Sequence, residues 1–215
     1  MLLRAWIYDR AVVRMTRGWY EAVLARVPAS SRLLDVGIGT GAALAAHGPR
    51  VKELGLRVLG VDIDADYVRR CAVRMRQDGL SEQVQVKLES VYDLAETGFD
   101  AVYFSGSFML MPDPVAALTH VLGLLAPGGR VYFTQTFERD RSATMEWCKP
   151  LLKRITTIDF GAVSYRGDFL AALREGGVEI VEEVALGRQG RRCAWLVVAQ
   201  PISAPPEARS ADVAG

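Results

Sequence analysis

Residues 33–41 read LLDVGIGTG: an apolar run interrupted by one carboxylate, Asp35, and then glycine at every second position, Gly37, Gly39 and Gly41. The apolar residues 33–36 have the character of a short buried strand, and the alanine-rich AALAA after the glycines has that of a helix. A strand, a glycine turn and a helix N-terminus make a cradle for a nucleotide-like ligand, because bare main chain can approach phosphate, sugar or amino-acid groups closely. Three alternate glycines exceed what a tight turn alone requires.

Working outward from that stretch, strand and helix character alternate. A helix is expected over 42–54, a second strand over 58–61, and a helix capped by Asp64 and running to about Gln77. A third strand is expected over 84–88, a fourth over 99–104, a helix over 114–125 closed by Pro127-Gly128-Gly129, and a fifth strand over 130–136. Such a βαβ series predicts an α/β fold with a parallel sheet, helices on both faces and right-handed crossovers. The two ends break the pattern. Residues 6–27 read as one or two helices that concentrate Trp6, Tyr8, Trp19 and Tyr20. Residues 144–154 and 168–175 read as helices, and 178–185 and 193–199 as a final antiparallel strand pair joined by the loop LGRQGRR, 186–192.

The expected organisation is one domain over residues 1–200, with 1–30 helical, 31–136 the ligand-binding core and 137–200 the substrate-side helices and last strands. The Pro-, Ala- and Ser-rich 201–215 reads as a disordered tail. Lys and Arg number 26 against 25 Asp and Glu, a net charge of +1, so the basic excess of a nucleic-acid binder is missing. Cys71, Cys148 and Cys193 stand in no metal-ligand spacing, and neither a disulfide nor a metal site is expected. Arginines at 4, 10 and 14 break the first apolar stretch, and no other apolar run approaches the length of a membrane span. The expectation is a soluble cytoplasmic protein, monomer or homodimer, whose partner is a small molecule.

The glycine spacing by itself leaves two ligands open, since Gly37, Gly39 and Ala42 also satisfy the G-x-G-x-x-G/A pattern of dinucleotide-binding loops. A second feature adds to it. In Leu59-Gly60-Val61-Asp62 an acid stands at the C-terminal end of a strand, the edge where open α/β sheets bind ligands, and a carboxylate there can accept both hydroxyl protons of a ribose.

LLDVGIGTG, VLGVDID, FDAVYFSGSFMLMPDP and LLAPGGRVYFTQ together resemble, in order and spacing, the successive motifs of the class I S-adenosylmethionine-dependent methyltransferases; the resemblance is detailed from about Ser31 to Thr136. It implies a Rossmann-like, seven-stranded, mostly parallel sheet with an antiparallel last strand and an N-terminal helical lid, with S-adenosylmethionine bound across the C-terminal strand edges. Asp35 and the loop Gly37, Ile38, Gly39 and Gly41 would hold the methionine part, with Asp35 near its ammonium group. Asp62 would take the ribose hydroxyls, and Ile63 and Val91 would lie against the two adenine faces. The family commonly places an acid at the position of Ser90; here the adenine amino group is left to Ser90, to the neighbouring Glu89 or to main chain.

Ser105, Gly106 and Ser107 would leave room for the methyl group and its acceptor, with Ser105 on the cofactor side. Ser107, Phe108 and Met109, then Phe137, Phe160 and Tyr165, are the candidate substrate contacts, although Phe108, Met109 and Met111 also suit packing under the next helix. The sulfonium methyl is already an electrophile, so alignment for in-line displacement is the main requirement and a general base is optional. No catalytic residue is assigned; Tyr8, Tyr20, Asp159 and Tyr165 are the candidates, while His47 and His120 read as structural. The rival readings are a nicotinamide-dependent oxidoreductase, against which Tyr67, Tyr92, Tyr103 and Tyr132 lack a lysine at the Tyr-x-x-x-Lys spacing, and a non-catalytic partner subunit. The lack of an Asn-Pro-Pro-Tyr run after the fourth strand argues against exocyclic or amide nitrogen as acceptor.

Overall fold

The structure, a computed structural model, describes Thr16 and residues 18–138, 165–189 and 192–202. Its strands are β1 (Arg32–Val36), β2 (Arg57–Asp62), β3 (Val84–Leu88), β4 (Phe99–Ser105), β5 (Leu125–Glu138), β6 (Val178–Gln189) and β7 (Arg192–Pro201). They form one seven-stranded sheet in the order β3-β2-β1-β4-β5-β7-β6. Strand β1 pairs in parallel with both β2 and β4, so the strand order reverses between β1 and β4. At such a switch point the crossovers leave in opposite directions and a crevice opens outside the C-terminal strand ends. Strand β7 runs antiparallel to β5 and to β6, which makes it the one reversed strand.

The period-2 alternation of each strand supplies two buried faces. Leu34, Val36, Val102, Phe104 and Phe133 point to one, where α5 (Pro114–Leu124) contributes Leu118 and Val121 and α6 (Arg166–Glu175) contributes Phe169 and Leu173. Leu33, Ala101, Tyr103 and Tyr132 point to the other. There Tyr20, Val23 and Leu24 come from α1 (described over 18–24), and Cys71 and Met75 from α4 (Ala65–Gln77). Asp35 shares the parity of Leu33 and is paired with Tyr103, so the carboxylate points into this second apolar face.

Three sequence expectations are corrected. The helix expected over 42–54 is two, α2 (Ala42–Ala45) and α3 (Gly48–Glu53). Pro49 has no N–H and its ring crowds the preceding turn, so the chain restarts with His47 as the N-cap, whose carbonyl accepts from the Val51 N–H at 3.0 Å. The link 186–192 is mostly strand, since pairing continues through Gly187↔Ala194, Arg188↔Cys193 and Gln189↔Arg192. The fifth strand begins at Leu125, opposite Phe99, and slips register before Arg130 pairs with Ala101, with Pro127-Gly128-Gly129 inside that irregularity. The helix expected over 144–154, residues 1–15 and the tail from 203 lie outside the described residues. No helix among the described residues is long and apolar enough to cross a membrane.

Candidate functional site

The three glycines after β1 all hold left-handed backbone, with φ of 78° at Gly37, 59° at Gly39 and 66° at Gly41, which a side chain would strain. Their surroundings differ. A Cβ at Gly37 would lie 2.8 Å from the Ser107 Cβ, and one at Gly41 would run into Cys71 and, at 2.7 Å, the Met75 Cε of α4. A Cβ at Gly39 would meet nothing within 4 Å. Two of the glycines therefore permit close packing of protein on protein, and the middle one alone leaves its main chain facing open space.

Asp35, at the tip of β1 beneath this turn, is 0 % exposed. Its Oδ2 accepts a 2.6 Å hydrogen bond from the Tyr20 hydroxyl of α1. Its Oδ1 is buried without a hydrogen-bond partner. Burial pushes the Asp35 carboxyl up from 3.8 to about 7; the Tyr20 hydrogen bond opposes that shift and the charge of Asp62 adds to it. Burial also raises the Tyr20 phenol well above 10, so it stays protonated and acts as a donor rather than as a proton acceptor. An acceptor left without a partner in the interior costs about 1–3 kcal/mol, which a donor or cation placed at Oδ1 would relieve.

Asp62, half-buried at the tip of β2, supports the same turn. Its Oδ2 accepts from the Gly39 N–H at 2.9 Å and its Oδ1 from the Asp64 N–H at 2.9 Å. Asp64 then caps α4 by accepting from the Asp66 and Tyr67 N–H groups. Each Asp62 oxygen keeps a second lone pair for a hydroxyl. Beside it Ile63 is 79 % exposed, an apolar side chain held out at the crevice. Val91 is buried in the core under α5, and the Ser90 Oγ accepts from the Tyr92 N–H at 3.3 Å. Glu89 faces Lys87 at 4.0 Å. The Ile38 side chain is packed on Gly60 inside the core, and its N–H bonds the Val61 carbonyl at 3.2 Å, so Ile38 borders the turn from within.

The tip of β4 is built differently. Ser105 is half-buried; the Ser107 hydroxyl is buried and donates to the Val36 carbonyl at 2.5 Å, tying the ends of β1 and β4 together. Phe108 is 1 % exposed, its ring centroid 5.3 Å from Phe104, 4.9 Å from Phe133 and 5.8 Å from Phe169. Phe137 is buried against Phe169 at 5.1 Å. Met109 and Met111 are half-buried against the same core, Leu110 is exposed, and Tyr165 is buried at the N-cap of α6. Of the expected substrate contacts, then, Ser107, Phe108, Phe137 and Tyr165 are interior side chains, and Met109 alone is partly open. Tyr8, Asp159 and Phe160 lie outside the described residues. His120 Nε2 meets the Leu94 carbonyl at 2.9 Å, and His47 caps α3.

The contact the sequence did not announce is Tyr20 with Asp35, fifteen residues apart. Its signal was the Trp19-Tyr20 pair in an amphipathic helix just before β1, which marks an aromatic face without naming its partner.

Residues 34–133 match the family model described as a methyltransferase domain. The ubiquinone biosynthesis O-methyltransferase of Xanthomonas axonopodis pv. citri (strain 306) is 34% identical over 127 residues, covering 57% of this chain and 50% of that protein. Methyltransferase GfsG of Streptomyces halstedii is 30% identical over 120 residues, 55% of this chain and 41% of that one. The chain spans about half the length of the curated relatives it matches. Among solved structures, geranyl diphosphate C-methyltransferase from Streptomyces coelicolor A3(2), in complex with Mg2+, geranyl diphosphate and S-adenosyl-L-homocysteine, superposes with a TM-score of 0.67 at 16% identity over 88% of this chain and 79% of that one. The 4+2 cyclase SpnF does so with a TM-score of 0.66 at 18% identity over 86% and 82%. At such identities the likeness establishes the fold alone, and the fold carries more than one reaction.

Proposed function

We propose that this chain, whose residues 34–133 match the methyltransferase-domain model, is a class I S-adenosylmethionine-dependent methyltransferase that transfers the methyl group of S-adenosylmethionine to a small-molecule acceptor. The observation that carries the proposal is the empty Oδ1 of Asp35, buried below a glycine turn that is open only at Gly39. An amino-acid ammonium satisfies that oxygen and restores the carboxylate charge. Main chain from Gly37 to Gly41 would flank the same end of the cofactor, Asp62 would accept from its ribose hydroxyls, and the exposed Ile63 would cover an adenine face with Ser90 and Val91 nearby.

The cofactor, when bound, supplies a sulfonium methyl with a good leaving group. The work left to the chain is to hold the acceptor in line and keep water out, and alignment of this kind contributes up to about 7–11 kcal/mol. No described side chain is assigned as a general base: Tyr20 is buried and holds its proton. Half-buried Met109 and Met111 with exposed Leu110 form an apolar rim beyond β4, which supports a hydrophobic or aromatic acceptor. The similarity to a ubiquinone biosynthesis O-methyltransferase supports the same class.

Titration calorimetry tests the proposal. S-adenosylhomocysteine should bind the chain and NADH should not; the reverse preference would favour the oxidoreductase reading and overturn this one. Incubation with methyl-labelled cofactor and pools of quinols, phenols and prenyl compounds should then transfer label to a single class.

A further inference from the structure

Helix α1 touches the tips of both central strands. Tyr20 donates to Asp35 at the end of β1, and its ring stands edge-on to Tyr103 of β4 with centroids 5.0 Å apart. Trp19 lies against Gly106 just past β4, where a Cβ would come within 3.2 Å of the indole ring. Gly106 holds φ of 70°, and its N–H bonds the Thr134 carbonyl at 2.8 Å, so the seat for the indole is fixed by backbone. Tyr103 in turn shares a 2.8 Å hydrogen bond with the Thr134 hydroxyl. The helix is thus held by buried contacts to β1, to β4 and to the turn that follows β4, and the Tyr20 hydrogen bond falls on the carboxylate assigned above to the ligand.

We propose that Tyr20 is a positioning residue for the cofactor ammonium: by occupying Oδ2 of Asp35 it leaves Oδ1 as the single carboxylate oxygen for the ligand, and it makes the docking of α1 and the filling of the crevice one coupled event. The inference rests on the function proposed above and assigns to Tyr20 a role different from that of an acid or base. One carboxylate shared by a helix and a ligand cation couples them by linkage: whatever stabilises the ionised, oriented Asp35 favours both partners, and each raises the affinity for the other. The titratable groups acting on Asp35 and Tyr20 are Asp62 of β2, Tyr103 of β4 and Cys71 of α4, with Arg74 of α4 acting on Cys71. Asp62 disfavours the ionised Asp35, and the Tyr20 phenol is the group that favours it.

The experiment measures S-adenosylhomocysteine affinity of the full chain by calorimetry from pH 5.5 to 8.5, in wild type and in Tyr20→Phe, which keeps the ring packed on Tyr103. Loss of a hydrogen bond to a charged group should weaken binding roughly ten- to hundredfold. The pH at which affinity reaches half its plateau should also move upward, because the donor that opposes the burial of Asp35 is gone. A residue that only packs would alter thermal stability and leave that midpoint in place. As a measurement independent of the variant, amide hydrogen exchange of the wild-type chain should slow over residues 18–24 when S-adenosylhomocysteine is added. Wild-type binding with an unchanged affinity and midpoint in Tyr20→Phe, or ligand protection of residues 37–41 without protection of 18–24, overturns the coupling. A wild-type chain that fails to bind S-adenosylhomocysteine at all overturns the function on which it rests.

Discussion

The tips of β1 and β4 are neighbours in the sheet, Val36 opposite Phe104, and both run into glycine-containing turns at the same edge. They are built on opposite terms. Past β4 the groups are satisfied from within: the Ser107 hydroxyl donates to the Val36 carbonyl, and Phe108 sits in an aromatic cluster with Phe104, Phe133 and Phe169. At β1 a buried carboxylate keeps one oxygen without a partner, Gly39 faces open space, and Ile63 just past the neighbouring β2 is 79 % exposed. A buried acceptor without a partner calls for a group that completes it, and the proposed ligand supplies one. On the proposed reading the β1 tip is the binding surface and the residues just past β4 are largely its scaffold.

If Phe108 is scaffold, its loss should register in folding. Phe108→Ala removes a fully buried ring and should cost about 3–5 kcal/mol of stability, with S-adenosylhomocysteine affinity of the folded fraction changed little. Denaturant unfolding gives the first quantity and calorimetry the second. A variant of normal stability with lost affinity would move Phe108 into the site. Gly41→Ala comes next, because it combines a left-handed φ with a methyl group driven into Cys71 and Met75. Overpacking and backbone strain together should cost about 2–4 kcal/mol. Cys71→Ala in the same chain should recover part of that loss, since the Cys71 Cβ stands 3.6 Å from the added methyl.

Asp35 separates the two tips through pH. Its folded value of about 7 stands above the ordinary 3.8, so between those values the native state holds a proton that the unfolded chain has released. Stability attributable to this group is therefore intact below about 4, falls as pH rises, and is fully lost above about 7. The slope cannot exceed about 1.4 kcal/mol per pH unit, which amounts to about 2 kcal/mol between pH 5.5 and 7. Asp35→Asn should flatten that decline in a series of melting curves, and saturating S-adenosylhomocysteine should flatten it in wild type by supplying the cation. A wild-type stability that rises over this window by the same amount as in Asp35→Asn would remove Asp35 as the titrating group.

Much of this was legible in the residues. LLDVGIGTG, the acid ending β2 and the alternation of strand and helix give the succession of elements along the central sheet, because each rests on local chemistry: period-2 burial, left-handed glycine, an Asp N-cap. The break at Gly48-Pro49 is also local, but the alanine-rich run on one side and Val51 on the other keep helical periodicity across it. What sequence could not separate is apolar residues at a strand end that face a ligand from those that face a core. Phe108 and Met109 are adjacent and similar in hydrophobicity, yet the first is buried on all sides and the second is half-open, because only the first points toward α6 and its Phe169. Tyr20 with Asp35 was hidden for a related reason: a hydrogen bond between elements depends on the angle at which a helix lies on a sheet, which no spacing encodes.

Gly39→Ala carries the smallest effect on folding and the sharpest one on the contrast between the two tips. The added methyl meets no protein atom within 4 Å, so only the left-handed backbone, φ 59°, opposes it, at about 1 kcal/mol. A methyl group standing where main chain is meant to meet a ligand should nonetheless lower S-adenosylhomocysteine affinity by tenfold or more, with melting shifted by only a few degrees. The comparison with Gly41→Ala is then a crossed one: a large loss of stability at one glycine, a large loss of affinity at another two residues away. Equal losses of both kinds at the two positions would mean that the glycines serve a single tight turn, and that the open space at Gly39 is incidental rather than the floor of a binding crevice.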